Sequence, residues 1–182
     1  MSDADPQKVE FLVSAELADW SRERKALLAW DPGRSLLASL RAYQRHCESR
    51  SLLAWAACRI AVLRHRFWSA ITGAEIPLNC KKISGGLMVP HPNGIVIHPD
   101  ASIGPNCLIF QQVTIGIGNG GVPVLRGNVD IGAGAKLLGG ITVGARARIG
   151  ANAVVLRDVP EGATAIGVPA RIITRSQAGD AA

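Results

Sequence analysis

The apolar positions of this chain follow two different periods, and the change falls near residue 75. Upstream the spacing is helical, and residues from about 7 to 72 read as helix. Asp31-Pro32 marks one start, with an acceptor side chain at the N-cap and proline at the first helical position. Leu36, Leu37, Leu40 and Tyr43 recur behind it at helical spacing, with Arg41 and Arg45 between and beyond them. Ser51 is placed to cap a second helix running through Leu52, Trp55, Ala56, Ile60, Leu63 and Phe67 to Ile71, stopped by Gly73. Its other side carries Arg59, Arg64 and Arg66. The pattern predicts a stripe facing the core or a neighbouring subunit, with a solvated basic back. A basic amphipathic helix lying on a membrane is the second reading.

From Ile83 onward the period becomes six. Ile97, Ile103, Ile109 and Ile115 follow one another without exception, and after an insertion around Gly116 to Val124 the count resumes at Leu125, Ile131, Leu137, Val143, Ile149 and Val155. Four places after most of these comes a small or β-branched residue: Ala101, Cys107, Val113, Val129, Ala135, Ile141, Ala147 and Ala153. Neither a helix nor an alternating strand has this period. A parallel β-helix does, each hexapeptide supplying one flat face and a turn, and three faces closing an eighteen-residue coil. Ile83 to Ile95 adds about one more coil, with a phase slip near Pro90. The expected fold is therefore mainly β: a parallel β-helix of hexapeptide repeats over 75–173 behind an N-terminal α-helical segment over 1–74. The helices cover the first open end, Val168 to Ile173 finishes the other, and 174–182 forms a flexible tail. Flat faces of this kind suit three-fold association, as a homotrimer or a dimer of trimers.

Composition fits the stack. Twenty glycines and 4% aromatics in 182 residues point to small side chains in register rather than to an aromatic core. The net charge of +6 is local, since seven arginines stand against Glu48 alone between Arg34 and Arg66. No nucleic-acid motif accompanies them, so nucleic acid is not an expected partner; the patch reads as a solvated face or a peripheral membrane contact over 34–66. Cys47, Cys58, Cys80 and Cys107 form no CxxC pair, which predicts reduced thiols in a cytoplasmic protein and no metal. The acidic start Met1 to Asp5 is no signal peptide, and the apolar run Leu52 to Cys58 is too short to span a bilayer.

Five segments together resemble a known family. They are His91-Pro92-Asn93-Gly94-Ile95-Val96-Ile97, Gln112-Val113-Thr114-Ile115-Gly116, Ile131-Gly132-Ala133-Gly134-Ala135-Lys136, Ile149-Gly150-Ala151-Asn152-Ala153-Val154-Val155 and Ile166-Gly167-Val168-Pro169-Ala170-Arg171. In order and spacing the tract from Glu75 to Ile173 resembles the left-handed β-helix acyltransferases, and within them the serine O-acetyltransferases. The resemblance implies an O-acetyltransferase that uses acetyl-CoA as co-substrate, with L-serine the default acceptor in cysteine biosynthesis. It also implies His91 as general base: an alcohol is a weak nucleophile until its proton is taken, and imidazole titrates in the right range. Glu75 falls where the family carries an acidic partner for that histidine. Backbone amides at coil corners would hold the oxyanion. Acetyl-CoA would lie in the groove between neighbouring β-helices, against Gly116, Ala133, Gly134, Ala135, Lys136, Ala151, Ala153 and Arg171, with Arg146, Arg148 and Arg175 as further phosphate candidates. The remaining histidines carry no such role: His98 reads as a surface turn, and His46 and His65 as solvated.

Three departures bear on the acceptor. Pro90 replaces the aspartate that precedes the family's catalytic histidine, and Val122-Pro123-Val124-Leu125 replaces a His-Pro-Lys motif. The segment Gly179-Asp180-Ala181-Ala182 lacks the terminal isoleucine that docks a sulfhydrylase, so that partner is not expected. These changes suit a sugar hydroxyl in surface-polysaccharide synthesis as the alternative acceptor. The γ-type carbonic anhydrases share the coil but need three zinc-binding histidines, and only His91 and His98 lie in the repeat, at the wrong separation. A non-enzymatic trimeric scaffold is the remaining alternative.

Overall fold

Each hexapeptide forms a very short strand and a turn, and the strands stack in three ladders. The computed structural model describes residues 13–26, 29–49 and 51–173. The first ladder joins β1 (Val96–Ile97), β4 (Thr114–Gly116), β7 (Lys136–Leu138) and β10 (Val154–Val155), all parallel. The second joins β2 (Ser102–Ile103), β5 (Val124–Leu125) and β8 (Thr142–Val143). The third joins β3 (Leu108–Ile109), β6 (Asp130–Ile131), β9 (Arg148–Ile149) and β11 (Thr164–Ile166). Bridges from Glu75 to Val96, Ile83 to Ile103 and Met88 to Leu108 add a further coil at the start. At the other end β12 (Arg171–Ile173) turns back antiparallel on β11, so its inward-facing backbone is paired.

Register confirms the six-residue count. Val96 faces Thr114 and Lys136 faces Val154, eighteen positions apart in each case. Thr114 faces Lys136, twenty-two positions on, because the insertion bulges outward. Gly118 and Gly121 close that bulge with reciprocal backbone hydrogen bonds of 3.0 and 3.2 Å. All ten in-phase aliphatics are buried, as are the eight small companions. Each buried aliphatic contributes about 1.5–3 kcal/mol, so the layered interior is the main source of stability.

The helical segment closes the first coil. Asp31 caps α1 (Pro32–His46) by accepting from the Arg34 amide at 2.9 Å, and Ser51 caps α2 (Leu52–Thr72) by accepting from the Ala54 amide at 3.1 Å. Gly73 ends α2 in the left-handed region at φ 63°. Leu36, Leu37 and Leu40 sit in one core with Ile76, Leu87 and Val89. Gly33 is required there, since a Cβ would run into the Val89 carbonyl. Arg41 ties the layers together. Its guanidinium makes a two-pronged pair with Glu23 at 2.9 and 3.0 Å and donates to the carbonyls of Ile83 and Ser84.

Several expectations need correction. Residues 13–26 and 29–31 are not α-helix: apart from a 3-10 turn at Trp20–Glu23, residues 13–26 form a strap along one prism edge. Its backbone is satisfied from outside, because Asn106 Nδ2 donates to the Ser14 and Leu17 carbonyls at 2.7 Å and Asn106 Oδ1 accepts from the Asp19 amide at 2.8 Å. Arg41 is inside the fold rather than on a solvated face, because Glu23 offsets its desolvation. Cys47 and Cys58 are joined in a disulfide rather than reduced; the α1–α2 turn brings their Cα atoms to 5.3 Å, within bridging range. Cys80 and Cys107 are free and buried. His65 is buried, not solvated: it points from α2 towards α1 and the first coil, with Nε2 donating to the Ile76 carbonyl at 2.8 Å and Nδ1 3.0 Å from Ser39 Oγ. The Leu52-to-Ile71 stripe does not face this chain's core. It is exposed, and α2 packs instead through Ala54, Ala61, His65 and Thr72. The 1–12 part of the helical reading and the 174–182 tail, with Arg175, lie outside the described residues.

Candidate active site

One edge of the prism gathers most of the residues singled out from the pattern. Where the third face turns into the first, successive coils present His91, then Phe110 to Gln112, then Gly132 to Gly134, then Gly150 to Asn152. Backbone bonds hold this column in register: Phe110 N donates to the Ile131 carbonyl, Gly132 N to Ile149, Gln112 N to Asn93, Gly134 N to Gln111 and Asn152 N to Ala133. Gln112 and Asn152 adopt φ 58° and 57°, and Gly94 and Gly134 φ 65° and 75°. Glycine and asparagine meet that left-handed corner at low cost.

His91 stands at the start of this column, exposed, with its ring stacked near Phe110. Glu75 does not join it: among the described residues no hydrogen bond or ion pair links the two. Glu75 lies on the first face beside Val96, where its amide and carbonyl bond Ile95 and Ile97 and its side chain is exposed. Ala133, Gly134 and Ala151 line the edge. Ala135 and Ala153 are fully buried, so their methyl groups fill the core and only their backbone is near the surface. Lys136 lies beside the edge on β7, with Nζ donating to the Gln112 carbonyl at 2.6 Å and to Thr114 Oγ1 at 3.1 Å. Gly116 sits on β4 of the same face. Arg171 is exposed on β12 at the far end from His91. Arg146 pairs with Glu161 at 3.0 Å.

The corner amides divide into two sets. Those of Gln112, Gly134 and Asn152 are spent on the neighbouring coil and cannot serve an oxyanion. Those of Gln111, Ala133 and Ala151 make no such bond among the described residues and remain able to meet a thioester carbonyl or a pantetheine amide. Next to Phe110, Gln111 Oε1 is buried without a hydrogen-bond partner among the described residues. Nothing in the six-residue count singles out either residue, because neither is an in-phase position.

A second feature escaped the sequence reading. A cavity of about 250 Å³ lies between the helical segment and the first coil, lined by Arg22, Trp30, Asp31, Pro32, Arg34 and Leu87 to Pro90. Pro90 leads directly into His91. Asp31 Oδ2 pairs with Arg34 Nη1 at 3.4 Å, and Arg22 Nη1 donates to the Asn106 carbonyl at 2.5 Å. One carboxylate and two guanidiniums therefore border a cleft whose lining includes Pro90, the residue before His91. His98 occupies the turn expected of it, with Nδ1 accepting from the Asp100 amide at 3.2 Å. Among the described residues no group of three or more His, Cys, Asp or Glu is placed to hold a metal ion.

The chain matches no protein-family model. It is 46% identical over 111 residues to a serine acetyltransferase of Synechococcus elongatus, a match spanning 58% of this chain and 45% of that protein. Its fold superposes on a serine acetyltransferase solved in complex with CoA, with a TM-score of 0.65, 39% identity, and coverage of 80% of this chain and 58% of the other. The soybean serine acetyltransferase apoenzyme gives a TM-score of 0.57 and 30% identity over 76% of this chain and 69% of that one. The chain thus spans about half the length of the first of these relatives.

Proposed function

Because the chain belongs to the hexapeptide-repeat acyltransferases, in their serine acetyltransferase branch, we propose that it transfers an acetyl group from acetyl-CoA to a hydroxyl, with L-serine as acceptor. His91 takes the hydroxyl proton as the oxygen attacks the thioester carbonyl. The tetrahedral intermediate then collapses, the carbon–sulfur bond breaks, and the proton returns to the departing thiolate. CoA lies along the edge that runs from His91 to Ala151, with the free amides of Gln111, Ala133 and Ala151 as donors to it. Lys136 stands where a phosphate or pantetheine oxygen can take over its present contacts. Arg171 is too far along the prism to serve the same end of the ligand.

The observation that carries this reading is the shared edge: the histidine, the small-residue corners and the unused amides fall in one column. Its acceptor side is the cleft that ends at Pro90. Asp31 there offers a carboxylate for an ammonium, and Arg34 offers a guanidinium for a carboxylate. That pairing supports a small zwitterion and supplies the acid that Pro90 does not. Glu75 is left as a surface residue of the first face, not as the partner of His91.

A lone chain leaves His91 facing water, so we infer that a second copy walls the groove, in a three-fold assembly with one site per boundary. The enzyme would act in the cytoplasm, where acetyl-CoA is available. Release of CoA with L-serine, measured beside nucleotide-linked and lipid-linked sugars, tests the acceptor. Turnover of serine with none of the sugars is the expected result; turnover of a sugar alone would transfer the reading to surface-polysaccharide acetylation.

A further inference from the structure

The helix α2 is built inside out. Its buried positions carry small or polar side chains, Ala54, Ala61, His65 and Thr72, whereas the large aliphatics stand in solvent. Leu53, Ile60, Leu63 and Phe67 are 85, 56, 66 and 54% exposed, and Ala56 and Ala70 fill the gaps between them. The spacing alternates three and four, so these six share one face of the helix, opposite the face that meets α1. Leu52 and Ile71 extend it at both ends. An apolar strip of this size on an otherwise well-packed chain marks a surface that is covered by something.

The charge around the strip identifies what covers it. Arg59 and Arg66 flank one side and Arg64 the other, all exposed, and α2 contains no acidic residue. Among the described residues Arg64 and Arg66 have no ion-pair partner, and Arg59 lies over the exposed Trp55 ring at 5.4 Å. A second copy of this face would set guanidinium against guanidinium along its whole length. An anionic lipid surface is complementary to it: phosphates meet the arginines on both flanks, and acyl chains meet the strip. Tryptophan at one end is the side chain that favours the headgroup level. The helix lies on such a surface and does not cross it, since among the described residues no helix is long and apolar enough to span a membrane.

We propose that the outer face of α2 docks on an anionic bilayer, with Leu53, Ile60, Leu63 and Phe67 entering the interface and Arg59, Arg64 and Arg66 on lipid phosphates. Such docking is independent of the acceptor and of the chemistry at His91.

Flotation of the full chain tests it, using vesicles of phosphatidylcholine alone and with phosphatidylglycerol added. The chain should float with the anionic vesicles at low salt, much less so at high salt, and hardly at all with phosphatidylcholine. Leu63→Asp with Phe67→Asp should lower binding at least about tenfold while circular dichroism stays unchanged, because each loses a buried apolar contact worth a comparable factor. Arg64→Gln and Arg66→Gln should each lower it about fivefold. Absence of flotation overturns the proposal, and so does flotation that survives the aspartate pair. A particle that shrinks in the aspartate variant, with no vesicle binding by the parent, would assign the face to a second copy of the chain.

Discussion

His91 and Phe110 stack one coil apart on the same prism edge, their ring centroids 6.3 Å apart and their planes inclined by 30°. The contact orients an imidazole that has no hydrogen-bond partner among the described residues. With His91 as the proposed base, Phe110 takes the part of a positioning residue. Phe110→Ala should lower kcat about tenfold with a much smaller change in KM for acetyl-CoA, since a misplaced base costs the transition state more than the ground state. Phe110→Tyr, which keeps the ring, should restore most of the rate. Equal losses in both parameters, or no rescue by tyrosine, would show that Phe110 serves only the fold.

Asp31 faces the cleft beside Pro90 and also caps α1. Asp31→Asn keeps an acceptor for the Arg34 amide, so the helix should survive while the negative charge is lost. We expect KM for L-serine to rise at least about tenfold, the worth of a charge-assisted hydrogen bond, with KM for acetyl-CoA little changed. Steady-state kinetics in both substrates checks this. An unaltered serine KM would remove Asp31 from the acceptor site.

Asn106 holds the strap with three hydrogen bonds from one buried amide and itself sits at φ 61°. Asn106→Ala leaves two carbonyls and an amide unsatisfied and puts alanine in a left-handed corner. Urea unfolding should show a loss of about 2–4 kcal/mol, and the strap around Ser14 should become sensitive to protease.

Burial holds the pKa of His65 below its ordinary 6.5, against the opposing pull of the Ile76 and Leu36 carbonyls. The folded state thus favours the neutral ring. Its contribution to stability is full above about pH 6.5 and is lost as pH falls through the folded value, because the unfolded chain binds the proton first. Chemical denaturation across pH 7 to 5 should show this decline. His65→Gln should flatten that part of the profile; an equally steep profile would place the acid sensitivity elsewhere.

The disulfide joins Cys47 and Cys58, eleven positions apart in sequence, and is worth about 2–3 kcal/mol in lost unfolded-state freedom. Denatured, unreduced protein should titrate two thiols, Cys80 and Cys107, and reduced protein four. In the native state these two should resist alkylation, since burial raises both thiols to about 11.

The β-helix was legible because its interior repeats. Ile97, Ile103 and their successors must all be apolar for coils to stack, so one rule is written ten times. The helix caps at Asp31 and Ser51 were legible for a similar reason, as local signals that need no partner. What escaped depends on partners distant in sequence. Residues 13–25 look helical until Asn106 supplies their hydrogen bonds, and Arg41 looks solvated until Glu23 folds back on it. The α2 stripe was read by its period alone, which shows that one face is apolar but not which face this chain buries. In the proposed site, His91 and the corners were named through the family pattern. The cleft at Asp31 was not, because it unites two segments some fifty residues apart.

Acetyl transfer as proposed depends on His91 as the base. The direct measurement is CoA release from acetyl-CoA with L-serine by the His91→Ala variant, together with its particle size and circular dichroism beside the parent. A fall of about 10²–10⁴-fold with size and spectrum unchanged is the predicted result. Acetyl transfer at the parent rate by an intact assembly would contradict it.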